Sequence, residues 1–197
     1  MKMPTKILLS LAAAAALSCA TPAFANLVSN GGFETGNFTD WTQFGNTGAT
    51  GVGTSSPTGV GPHSGSFLAF FGAVGSDGGI FQNLTTVVGA TYNLTFWLAL
   101  DRGTPNDWSV SWNGITQLLQ VNATPFGYTQ FSFSGLLATS TSTQLAFSFR
   151  QDPRYFELDD VSVVGGTIPD GGNTLALLGL AMVGICLIRR WVPGIRK

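Results

Sequence analysis

Leu145-Ala146-Phe147-Ser148-Phe149, with Phe131-Ser132-Phe133 upstream of it, is the stretch that decides the fold class. In both, the apolar residues recur at every second position, which is the period of a half-buried antiparallel strand and not of a helix. Working outward, further short apolar runs predict strands over 67–71, 80–87, 92–100, 108–112, 115–121, 128–133, 144–150 and 155–164. Asn113-Gly114 joins two of these runs, and both residues accept positive φ, so the pair predicts a tight hairpin. Many short strands at near-regular spacing, with no sustained helical period and no internal repeat, indicate one all-β domain, a single antiparallel β-sandwich or jelly roll. Residues 45–65 are rich in Gly, Ser, Thr and Pro and nearly free of large apolar side chains, and read as a long surface loop.

The two ends of the 197-residue chain have a different character. Lys2 and Lys6 precede an apolar helical run over 7–17 that is too short to span a bilayer, and Ala23-Phe24-Ala25 follows in the small-x-small pattern that signal peptidase reads. Residues 1–25 are therefore expected to be a cleaved signal peptide, with a lipid on Cys19 as the weaker alternative. At the other end, 175–188 carries no charge and is followed by Arg189 and Arg190. As a helix it covers about 21 Å of a hydrocarbon core of about 30 Å, a short transmembrane segment that Thr174, Trp191 and Val192 extend into the interfaces. The basic stop at Arg189 and Arg190 predicts a cytoplasmic tail at 193–197 and places the preceding domain outside. The expected organisation is thus signal peptide 1–25, sandwich domain 26–164, linker and motif 165–174, and apolar segment with its basic stop 175–192.

Between these ends the domain is acidic. Three arginines (Arg102, Arg150, Arg154) stand against nine carboxylates, and there is no lysine, which excludes the basic footprint that nucleic acid requires. The only cysteines, Cys19 and Cys186, lie in the end segments, so the domain is built without disulfides.

Asn30-Gly31-Gly32-Phe33-Glu34 with Trp41, then His63-Ser64-Gly65-Ser66, the strand Tyr92 to Trp97, and finally Phe156-Glu157-Leu158-Asp159-Asp160-Val161 form an ordered set of short motifs. Together they resemble the galactose-binding-like jelly rolls, which include many bacterial carbohydrate-binding modules. The resemblance implies that the first and last strands lie side by side with a structural calcium at their edge. By resemblance, Glu34 and Asp160 would supply carboxylates, and carbonyls near Asn30 and Ser66 would complete the shell; calcium takes six to eight oxygen ligands. The alternative is that both acids are half-exposed strand-end residues.

Aromatic faces stack on sugar rings, so Trp108, Trp112 and Tyr128, with Arg102 in the loop before Trp108, are the candidate ligand-binding residues. Trp108 and Trp112 share one strand face, which is either the core or a binding surface. Trp41 and Trp97 are expected in the core. No catalytic residue is identified: His63, the only histidine, has no nucleophile or orienting group in view and reads as a loop residue. Asp159 and Asp160, adjacent on a strand, should point to opposite faces and cannot flank one bond.

The tail resembles a PEP-CTERM sorting signal, closest to the variant with Val-Pro-Asp-Ser-Gly; here Pro169, Asp170, Gly171 and Gly172 form the motif, with Ile168 in place of Val and Gly171 in place of Ser. The resemblance implies cleavage by an exosortase-type membrane transpeptidase. The protein would pass through the inner membrane of a Gram-negative bacterium to its cell surface or extracellular matrix, beside an exopolysaccharide. A permanent C-terminal anchor is the alternative. The expected function is non-enzymatic binding of that exopolysaccharide, with a purely structural matrix component second and a glycoside-active enzyme third.

Overall fold

The computed structural model describes residues 25–165 other than Pro153. The export signal, the Pro169-Asp170-Gly171-Gly172 motif, the apolar tail and the Arg189-Arg190 stop lie outside the described residues.

Ten strands run through the domain: β1 Thr42–Gly45, β2 Thr50–Gly53, β3 Leu68–Phe71, β4 Gly78–Thr85, β5 Thr91–Leu100, β6 Asn106–Trp112, β7 Ile115–Val121, β8 Phe126–Leu137, β9 Ser142–Gln151 and β10 Phe156–Gly165. They form two five-stranded antiparallel sheets, β1-β4-β9-β6-β7 (the front sheet) and β2-β3-β10-β5-β8 (the back sheet). Alternation explains the pairing. In β9, Leu145, Phe147 and Phe149 are buried while Ala146, Ser148 and Arg150 between them are only half-buried. In β5, Leu94, Phe96 and Leu98 are fully buried and meet them from the opposite sheet, with Phe96 edge-on to Phe147 at 5.0 Å. One apolar cluster fills the space between the sheets, so residues 25–165 carry a hydrophobic core of their own, as a domain able to fold alone does. The β6–β7 hairpin turns on Asn113 (φ 51°) and Gly114 (φ 77°), the two positive φ values expected of it.

Residues 45–65 differ from the expected loop. Thr50–Gly53 is an edge strand paired with β3, and β1 begins before it. Small residues conceal the strand because the partner supplies the bulk: a Cβ at Gly51 would lie 2.5 Å from Phe70 Cζ.

The N-terminal segment, which is not itself a strand, runs beside the last strand, whereas the first strand, β1, lies in the other sheet from β10 and not beside it as the resemblance implies. Leu27 N donates to Val163 O (2.8 Å) and Val161 N to Gly31 O (2.9 Å). Gln82 holds it from the other side: its Nε2 donates to Ser29 O and Asp40 O, and Ser29 N donates to Gln82 Oε1.

Candidate functional site

The structure places the tryptophan pair inside. Trp108 is 0 % exposed and Trp112 3 %. The Trp108-Val110-Trp112 face of β6 points at the back sheet, where Trp108 packs edge-on to Phe131 at 4.8 Å and to Phe96 at 6.1 Å. Trp112 meets Tyr92 at 5.7 Å and donates its Nε1 to Leu137 O at 2.9 Å. Of the two readings open in the sequence, the core is the correct one, and neither ring is available to a ligand. The reason is position: β6 lies between β9 and β7, so its apolar face has a whole sheet opposite it. Trp41 is buried as expected, but Trp97 is not in the inter-sheet core; it lies half-buried on the outer side of the back sheet. Arg102 is an exposed rim residue, 3.7 Å from Asp101.

His63, Ser64, Glu34, Asp159 and Asp160 form a knot on that outer side. His63 stacks on Trp97 (centroids 3.8 Å apart, planes 16° apart) and meets Tyr128 edge-on at 5.4 Å. Its Nδ1 is 2.7 Å from Asp160 Oδ2, and Ser64 Oγ donates to Asp160 Oδ1 at 2.7 Å. The main-chain N–H groups of His63 and Ser64 both donate to Asp159 Oδ2. The two aspartates thus face the same loop, contrary to strict alternation. A bulge between Asp159 and Ser162, with Asp160 at φ 50°, turns the second carboxylate round. Burial is the main cause that pushes Asp159 up to about 6, against the hydrogen bonds from Ser64, Asp160 and His63.

Glu34 caps the next turn. Its carboxylate accepts from Ser66 N (2.9 Å) and Phe67 N (3.1 Å). The approach requires glycine at 65, which stands at φ 63° and whose Cβ would collide with Glu34 Oε1. Asp160 Oδ1 and Asp159 Oδ1 stand 3.6 and 3.8 Å from where a Cβ at Gly32 would be, while Glu34 brings only its Cγ there (3.8 Å) and turns its carboxylate to Ser66. Among the described residues no three Asp, Glu, His or Cys side chains are grouped closely enough to hold a metal ion, and each of these carboxylates already has protein donors. The Asn30 carbonyl accepts from Trp41 Nε1 (3.1 Å), and its side chain donates to Asn37 O and Thr39 O. Ser66 contributes its N–H to Glu34.

The outer side of the front sheet is open. The register aligns Gly79, Ser148, Ser109 and Leu119 in one row, and Phe81, Ala146, Ser111 and Thr116 in the next. At the centre of the sheet the two middle strands present small side chains outward, Ser109 and Ser111 on β6 and Ala146 and Ser148 on β9, with Asp107 and Arg150 at one end of this face and Gln144 at the other. Larger ones stand on either side. Phe44 and Phe81 form an aromatic pair at 6.3 Å along one edge, with Phe44 Cζ over Gly79, and Leu119 and Val121 line the other. A trough results, running along β9 and β6, with hydroxyls on its floor. At about 3.3 Å per residue, this three-residue stretch of small side chains spans roughly 10 Å along the strands. One end carries charge: Arg150 donates to Asp152 Oδ2 at 2.8 Å, which lowers the Asp152 pKa, while burial and the neighbouring Asp77 raise that of Asp107. The sequence reading missed Phe44 and Phe81, since polarity inverts there: Gln82 points inward to its clamp and Phe81 outward.

No family model and no curated protein matches the chain. Solved structures do. TmCBM61 in complex with β-1,4-galactotriose is similar at a TM-score of 0.54 and 20 % identity, over 71 % of this chain and 97 % of that one. The CBM22-1 xylan-binding domain of Paenibacillus barcinonensis Xyn10C is similar at 0.52 and 19 %, over 74 % and 97 %. The enzymatically active domain of bacteriophage CBA120 tailspike protein 4 is similar at 0.54 and 16 %, over 72 % of this chain but only 21 % of that one. At these identities the likeness establishes the fold: residues 25–165 are an antiparallel two-sheet sandwich of the kind found in carbohydrate-binding modules.

Proposed function

We propose that this domain binds polysaccharide without catalysis, and that the front trough is where it binds. The observation that carries the reading is the floor of serine hydroxyls between an aromatic edge and an apolar rim, long enough for a sugar ring. Phe44 and Phe81 offer faces to C–H groups, the serines pair with hydroxyls, and Arg150 and Asp107 select orientation at one end. The domain would be exported, released from its tail by an exosortase-type transpeptidase at Pro169-Asp170-Gly171-Gly172, and displayed with an exopolysaccharide on a Gram-negative cell surface. A structural calcium held by Glu34 and Asp160 belongs to the same proposal; its work would be to tie the first and last segments together. A structural surface component without a glycan site is the second reading, and the burial of Trp108 and Trp112 favours it.

The test is isothermal titration of residues 26–165 with soluble β-1,4-galactan, xylan and the producing organism's exopolysaccharide, each with calcium and with chelator. Saturable binding that falls about tenfold in Phe81→Ala, the worth of one stacked ring, supports the trough. No binding by a folded domain overturns it and leaves the structural reading.

A further inference from the structure

A second cavity lies on the opposite side of the sandwich, and the trough does not use it. This cleft of ≈ 380 Å³ is walled by Val60 of the covering loop and by Pro125, Phe126 and Tyr128, with Asp101 and Glu157 among its polar groups. Glu157 is 0 % exposed, and neither of its carboxylate oxygens has a hydrogen-bond partner. The Ser56 hydroxyl comes near and partly offsets the effect of burial, but its well-formed bonds are with Thr58 and Val60. Tyr128 Oη is also buried and, though close to the His63 main chain, makes no well-formed bond.

Three buried polar atoms without a protein partner lie at one cleft, and leaving such groups unmet is costly, more so for a charge than for a neutral group. No cation of the domain meets the Glu157 carboxyl: Arg102 and Arg154 lie on the rim, 3.7 and 3.9 Å from Asp101, and there is no lysine in residues 26–165. The surrounding field is negative, since Asp101 acts on Glu157, and Glu157, Asp159 and Asp160 all act on Tyr128. A neutral hydroxyl group would satisfy the hydrogen bonds but leave this field unanswered. A protonated amine answers both, with N–H donors for Glu157 and Tyr128 and a positive charge within reach of the Tyr128 and Phe126 rings.

We propose that the Glu157 cleft is a binding site for a protonated primary amine on a small body, of amino-sugar or alkylamine type. The volume suits one hexosamine ring. The site stands apart from the glycan reading of the trough and does not depend on it.

The experiment is calorimetric titration of residues 26–165 at neutral pH with glucosamine, n-butylamine, N-acetylglucosamine and galactose. Glucosamine and n-butylamine are expected to bind saturably and the two neutral sugars not. If glucosamine binds and n-butylamine does not, the amine is read on a sugar; if both bind, the amine alone suffices. Glu157→Gln, which keeps the shape but cannot give up a proton to pair with an ammonium group, should weaken amine binding by at least about tenfold, and Tyr128→Phe by less. Phe81→Ala, on the other face, should leave amine binding unchanged. Equal binding of glucosamine and N-acetylglucosamine, unchanged affinity in a folded Glu157→Gln, or no saturable amine binding overturns the proposal. Loss of xylan or galactan binding in Phe81→Ala would support the trough whichever way the amine titrations fall, so the two readings fail separately.

Discussion

The two outer faces of this sandwich are built on the same alternation and differ in what lies over them. On the front sheet, β6 alternates between buried and half-buried residues along its whole length, and its outward side chains meet solvent. On the back sheet, the first four residues of β10, Phe156 to Asp159, are all buried. The loop after β2 lies across them, anchored by His63 on Trp97 and by the Asp159 and Asp160 carboxylates. Covering turns a polar strand face into a second, smaller interior, where acids are costly and aromatic rings act as packing. Leaving a face open keeps its aromatic pair and its hydroxyls available. A binding surface on this fold is therefore recognised by what is absent above it as much as by the residues in it.

Four outcomes would break or sharpen the contrast. The largest effect is expected at the core that both sheets share. Trp108→Ala should cost about 3–5 kcal/mol in chemical denaturation, and a loss below about 1 kcal/mol would mean that the ring does not face inward as described. Next is the pH dependence conferred by the covered face. Burial raises Glu157 from 4.5 to about 8, so the folded state binds a proton that the unfolded chain releases. That contribution is fully present below 4.5 and is lost as the pH rises through about 8; stability should fall over this range by up to a few kcal/mol. Glu157→Gln should flatten the profile, and an unchanged slope in the variant would show that other groups set it.

A smaller effect follows for the anchor. His63→Ala removes the stack on Trp97 and the contact with Asp160, and should cost about 1–2 kcal/mol and open the loop around 54–66 to limited proteolysis. Resistance equal to that of the parent domain would place the anchor elsewhere. Phe81→Ala on the open face should change stability least, within about 1 kcal/mol, because the ring is only half-buried. A large loss there would mean that the front face is packed and not open.

How far the sequence could be read depends on the kind of residue. The strand at 115–121 was legible to the residue, and β3, β5, β6, β9 and β10 to within two residues, because Phe, Leu, Val and Trp alternate with small polar residues. Two strands were hidden: in Thr50–Gly53 the partner strand supplies the side-chain bulk, and Thr42–Gly45 is short and edge-placed. Gln82 and Phe81 break the link between polarity and burial, since Gln82 goes inward to hold Ser29 and Asp40 and Phe81 is left outside. The bulge at Asp160 was equally invisible, because a single residue at positive φ reverses a side chain without any mark in the hydrophobic pattern. Tyr128 was legible as a candidate and Glu157 was not, since an acid in a strand reads as exposed until something covers it.

Alternation along each strand was enough to decide that this chain makes an all-β sandwich, that the hairpin turns at Asn113-Gly114, and which residues could share a face. The choice of which outer face is covered belonged to the tertiary structure. It depends on where a glycine- and serine-rich loop comes to rest, and that is set by a few contacts distant in the chain: His63 with Trp97, Ser64 with Asp159 and Asp160, Ser66 with Glu34. Local pattern records whether a side chain is apolar, and burial is a property of what the rest of the chain places on top of it.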